Sequence, residues 1–193
     1  MSFTDFSPLS SRTLGDPKHP TVRAPAAILG SRAPKPPRGF KLLQGIPTHV
    51  RYGGTVPPTS KRATFAQRAG INYERKIHDI LSAIYGARYR ISPSILFQDR
   101  SGLRRAIPDG ILEIERTLVI IEVKLTHTEK AWWQLEGLYK PLVTALSGSG
   151  TSIRTCEITR SYDPVVQFPA PHILVESLHR LPESCVGVLQ WKI

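Results

Sequence analysis

A chain of 193 residues and 21.5 kDa has room for one domain with a real core plus an appendage. Its net charge of +11 favours a polyanionic partner, nucleic acid first and an anionic membrane second. Two cysteines, Cys156 and Cys185, are too few for a disulfide framework or a zinc cluster. With no apolar run of spanning length and no secretion pattern at the N-terminus, an intracellular protein with no membrane contact is expected.

Residues 1–60 hold 10 of the 17 prolines and carry 8 Lys and Arg against 2 acids. Segments such as Arg32–Arg38 cannot be helical and show no apolar periodicity, so an extended or disordered basic arm is expected. Within it, Phe40–Leu43 and Thr48–Tyr52 are candidate short strands or docking pieces. The arm either follows a phosphate backbone, engages a protein partner, or is a flexible tail.

A domain is expected over residues 61–193. Thr64-Phe65-Ala66-Gln67 fits a capping box. Ala66, Ala69, Tyr73, Ile77, Ile80 and Ile84 then keep helical spacing as far as Gly86. Glu74 lies at the border of that stripe, where it either leans toward the sheet or stays an ordinary exposed glutamate. Ser94–Gln98 reads as a strand, Asp99–Gly102 as a turn, and Leu103–Leu112 as a second strand carrying Asp109. Arg104 and Arg105, just upstream of Asp109, are candidate contacts for a nucleic-acid backbone.

After a polar junction at Glu115–Thr117, Leu118–Lys124 reads as the partner strand of a hairpin. Strand alternation puts Ile120, Glu122 and Lys124 on one face, and Val119, Ile121, Val123 and Leu125 on the other. A carboxylate and an ammonium on an oily strand are costly to bury unless paired or bound to an ion. Asp109, 13 positions before Glu122, is brought alongside by hairpin pairing. Two carboxylates and a lysine at a sheet edge suit a hard cation and a phosphate.

Thr126–Glu129 reads as a capping box opening the next helix, with Trp132, Leu135, Tyr139, Leu142 and Leu146 as its core stripe. Pro141 should kink or divide it. Lys130 and Trp133 are further candidate nucleic-acid contacts, Trp133 by stacking on bases. His127 is either a phosphate contact or a surface residue, and His78 either orients Glu74 or faces solvent. Ser152–Ile158 reads as a strand, Pro171–Leu181 as a helix and Val186–Ile193 as a closing strand. The whole is an α/β protein with a mixed central sheet flanked by helices.

Pro108-Asp109 followed by Glu122-Val123-Lys124 resembles the signature of the PD-(D/E)xK nuclease superfamily, and the element order from about Thr64 to Ser152 is similar to that family's restriction-endonuclease-like core. Gly70-Ile71-Asn72-Tyr73-Glu74 resembles the glycine-to-glutamate signature of RecB-like members and some resolvases. RecB-like members also carry Gln, three residues, then Tyr. Here four residues separate Gln134 from Tyr139. The resemblance implies a Mg2+-dependent DNA nuclease, with Mn2+ substituting. Its catalytic set is Asp109, Glu122, Lys124, Glu74 and Gln134. Asp109, Glu122, the Val123 carbonyl and Glu74 are the implied metal ligands. Two other readings stay open: a non-catalytic nucleic-acid-binding protein on the same scaffold, and an assembly protein acting through its arm. A homodimer is a further possibility under either.

Overall fold

The computed structural model describes residues 28–36, 38, 43–54, 64–160 and 168–191. Residues 1–27, 55–60, and 40–42 of the candidate strand Phe40–Leu43 lie outside them, as do 192–193 at the end of the closing strand.

The helix expected after Thr64 is α1, Phe65–Tyr85. Its capping box is complete: Gln67 N–H donates to Thr64 Oγ1 and the Thr64 N–H to Gln67 Oε1. The buried face follows Tyr73, Ile77, Leu81 and Tyr85, with His78 beside them. This row of four-residue steps replaces the expected Ile80–Ile84 continuation, and Ile84 is half exposed. The shift is one of phase, and it places Glu74 one turn before buried His78 on the side that meets the sheet.

A three-residue strand, β3 (Tyr89–Ile91), follows a tight turn at Gly86. The expected long strand Leu103–Leu112 is instead two. After β4 (Ile95–Asp99), β5 (Gly102–Ala106) stops, Ile107–Asp109 leaves the ladder, and β6 (Gly110–Ile114) starts in another sheet. Pro108 accounts for the break, because proline has no N–H to give a ladder. β6 pairs antiparallel with β7 (Thr117–Lys124), Gly110 opposite Ile121.

The next helix begins at Thr128 rather than Thr126. Thr128 Oγ1 accepts the Ala131 N–H, and α2 spans Glu129–Gln134. Leu135–Tyr139 is a π-turn and α3 covers Lys140–Leu146. Pro141 is the physical cause. Its ring would collide with the carbonyl four residues back and it donates no hydrogen bond. Widening the turn before it, with Lys140 N–H reaching the Leu135 carbonyl, relieves both problems.

β8 (Ser152–Arg160), α4 (Pro171–Arg180) and β9 (Val186–Trp191) complete the element order. The larger sheet runs β1 (Leu29–Ser31), β9, β8, β7, β6, β3, parallel at β7–β8 and β8–β9 and antiparallel elsewhere. The smaller runs β2 (Thr48–Tyr52), β4, β5, all antiparallel. Each sheet takes a strand from the stretch expected as an arm: β1, which was not foreseen, and β2, which is the candidate strand Thr48–Tyr52.

Two apolar cores cover the two faces of β7. Val119, Ile121 and Val123 pack with Tyr73, Ile77 and Leu81 of α1 and with Leu174 and Leu178 of α4. Leu118 and Ile120 pack with Trp132, Leu135 and Leu142, and with Ile95 and Phe97 of the small sheet. With both faces covered, β7 reads as one continuous apolar run, as a central strand should. Its two charges, Glu122 and Lys124, therefore stand out. Among the described residues no helix is long and apolar enough to cross a membrane.

Candidate active site at the end of the central hairpin

Asp109 leaves β5 and enters β6 at the point where β7 ends. Its Oδ2 accepts the Val123 N–H at 2.7 Å and lies 3.7 Å from Lys124 Nζ. Lys124 Nζ donates to Glu122 Oε1 at 2.5 Å. Glu122 is 1 % exposed, and its second oxygen, Oε2, is buried with no hydrogen-bond partner among the described residues.

The three carboxylates repel one another through this site. Burial, then Asp109, and to a lesser degree Glu74, push the Glu122 carboxyl up to about 7 against the pull of Lys124. Burial also raises Asp109, with Lys124 opposing and Glu74 adding to the rise. For Lys124, burial works toward the neutral amine. Glu122, then Asp109 and Glu74, outweigh it and hold the group above its ordinary value. Lys124 is thus an ammonium at neutral pH.

Glu74 reaches the site from α1. Its Oε1 is 3.4 Å from His78 Nε2, while His78 Nδ1 lies 2.7 Å from the Tyr89 hydroxyl. Burial, then Asp109 and Glu74, raise the Tyr89 phenol, which keeps its proton. With Tyr89 donating to Nδ1, the Nε2–H of His78 points at Glu74, so this histidine orients the carboxylate. Gly70 is not sterically demanded: a Cβ there would stand 4.0 Å from Leu125 Cδ1, an ordinary contact. Gly110 is demanded, since a Cβ would lie 2.5 Å from Tyr89 Cε2 and 2.7 Å from Cζ. Gly110→Ala is expected to displace Tyr89 and cost roughly 1–3 kcal/mol, as overpacking does. Urea unfolding checks it; an unchanged midpoint would show that Tyr89 yields freely.

Gln134 and Tyr139 meet despite their spacing. In a regular helix, residues five apart point apart, but the π-turn realigns them. Gln134 Nε2 donates to the Tyr139 hydroxyl at 3.3 Å, and that hydroxyl donates to the Ile107 carbonyl at 3.1 Å. Gln134 Oε1 is buried and unpartnered among the described residues. Burial, then Glu122, raises the Tyr139 phenol. Tyr139 thus ties the π-turn to the segment that carries Asp109.

The other sequence candidates divide by placement. Arg104 turns inward, pairs with Asp99 at 2.6 Å and lies over the Phe97 ring. Arg105 is exposed, as is Lys130. Trp133 is half-buried, edge-on to Trp132 at 4.8 Å, and packs on the second core. His127 Nδ1 pairs at 2.5 Å with Glu157 Oε2, whose other oxygen accepts the Thr128 N–H. Glu157 is fully buried and sits opposite Glu122 in the parallel β7–β8 ladder. Sequence reading passed over this glutamate. Its one sign was a lone acid in the run Ser152–Ile158.

Oxygen ligands, a buried unpartnered carboxylate oxygen and mutually raised acids suit a hard divalent cation such as Mg2+. Among the described residues, no group of three or more His, Cys, Asp and Glu side chains forms a ready-made ion cage. The Lys124 ammonium lies among the carboxylates and offsets their charge. The chain matches no protein-family model, no curated protein and no solved structure.

Proposed function

We propose that this protein is a Mg2+-dependent deoxyribonuclease of the PD-(D/E)xK kind, built on a restriction-endonuclease-like core. The observation that carries the reading is the meeting of Asp109, Glu122 and Lys124 at one end of the β6–β7 hairpin, with Glu74 directed toward them.

Asp109, Glu122, the Val123 carbonyl and Glu74, directly or through water, would hold the metal. When bound, Mg2+ supplies charge neutralisation at the phosphate and acidifies water. The chain's own residues do the rest. Lys124, a protonated donor, orients the attacking water and balances negative charge growing on the phosphoryl oxygens. Its raised pKa removes it as a general base. Burial of Glu122 keeps that carboxylate in a medium of low polarity, where electrostatic interactions are strong. His78 and Tyr89 hold Glu74, and Tyr139 holds the Asp109 segment. Attack at phosphorus breaks one P–O ester bond and leaves a phosphate monoester and a free hydroxyl.

Supercoiled, linear, single-stranded and branched DNA incubated with the protein tests the reading. Cleavage of at least one form with Mg2+ or Mn2+, and none with EDTA, is expected. Binding of DNA without cleavage under every condition would leave the non-catalytic alternative standing.

A further inference from the structure

The small sheet has one face on the second core and one toward solvent. Ile95, Phe97 and Ala106 point inward and are buried. In register, Arg51 of β2 lies opposite Leu96 of β4, which lies opposite Arg105 of β5. Residues directly opposite across strands share a face, so the two arginines flank Leu96 on the outer surface. Gln98 and its partner Leu103 extend the same surface, and Leu103 is 75 % exposed.

Charge on the three strands is sorted by face. Their one acid, Asp99, points inward. Hydrogen bonds from Ser101, then from Gln44 and Arg104, hold its carboxyl well below the usual range. The outer face therefore keeps two exposed guanidinium groups and no carboxylate. It belongs to the basic part of the chain: residues 1–110 carry 18 Lys and Arg against 6 acids, and residues 111–193 carry 8 against 9. β5 then runs through Ile107 and Pro108 directly to Asp109.

We propose that this outer face is a docking surface for the DNA backbone, with Arg51 and Arg105 each taking a phosphate and β5 leading from them to the Asp109 site. The identity of DNA as substrate rests on the nuclease reading above. The geometry of the face does not. Strands two apart in a sheet are separated by roughly 10 Å, which gives the two long side chains room to take separate phosphates.

Salt dependence of duplex-DNA binding, measured by fluorescence anisotropy in EDTA, tests the proposal. Each phosphate contact adds about 0.9 to the slope of log affinity against log salt. Arg51→Ala/Arg105→Ala should therefore be shallower than wild type by about 1.8. Arg51→Lys/Arg105→Lys should recover the slope. Arg116→Ala/Arg180→Ala, which removes the same charge elsewhere, should match wild type. An unchanged slope in the first variant, or an equal loss in the first and third, overturns the docking face. Absence of any wild-type binding overturns the face, and the nuclease reading falls with it only where Mg2+ also produces no cleavage. Binding with the expected slopes but no cleavage in Mg2+ keeps the face and removes the nuclease, while cleavage with unchanged slopes does the reverse.

Discussion

Lys124→Ala should lower Mg2+-dependent cleavage by about 10²- to 10³-fold, the usual loss when one donor aimed at developing charge is removed. Lys124 Nζ is 2.5 Å from Glu122 Oε1 and 3.7 Å from Asp109 Oδ2. With a folded pKa above its ordinary 10.5, its stabilising contribution is full below 10.5 and lost only as pH rises through the higher folded value. The charge is therefore present throughout the range in which DNA is assayed, and a falling activity limb near pH 7 should not come from this lysine. The truncation leaves Glu122 buried beside no cation. That carboxyl can take up a proton, which limits the cost to the fold. DNA binding in EDTA should be retained, because the exposed arginines proposed to carry it, Arg51 and Arg105, lie elsewhere. Single-turnover cleavage and anisotropy on the same preparation check both halves. Cleavage within threefold of wild type would remove Lys124 from the chemistry.

Glu122→Gln should abolish cleavage and stabilise the protein at alkaline pH. The carboxyl rises from 4.5 to about 7 in the folded state, so the native state holds its proton more tightly than the unfolded chain. Stability from this group is full below about 4.5 and is lost as pH climbs through about 7. The loss is on the order of 3 kcal/mol at about 1.36 kcal/mol per unit, with the pull of Lys124 already included in the folded value. Glutamine keeps the shape and never ionises. The variant should equal wild type in acid and exceed it above neutrality, by about 2–4 °C in Tm for each kcal/mol at this chain length. Thermal melts across pH check it. A variant less stable than wild type at alkaline pH would show that the Lys124 pair outweighs the burial of the charge.

The heart of the site was legible because it needs only two periodicities. Alternation along β7 put Glu122 and Lys124 on one face, and counting back through the hairpin brought Asp109 beside them; the ladder has Gly110 opposite Ile121. What stayed hidden depends on packing or on breaks in regularity. Tyr139 falls one residue out of place for a regular helix, and only the π-turn that Pro141 forces brings it to Gln134. Tyr89 lies in a strand of three residues, too short for any alternation to register. Its pairing with His78 follows from where α1 lands on the sheet. Pro108 was in plain view, yet a change of sheet at Ile107–Asp109 has no local signal. Thr48–Tyr52 was a candidate strand and is β2, but that Arg51 shares a face with Arg105 follows only from its pairing with β4. Arg104 and Arg105 are neighbours in sequence, and a pleat sends one to Asp99 and the other to solvent.

Binding of a divalent cation to the carboxylates is the claim on which the rest stands, and Mn2+ titration followed by electron paramagnetic resonance measures it without any substrate. Wild type and Lys124→Ala should both take up Mn2+, while Asp109→Asn and Glu122→Gln should each lose that uptake. Mn2+ uptake that is missing in wild type, or unchanged in both carboxylate variants, would contradict the account.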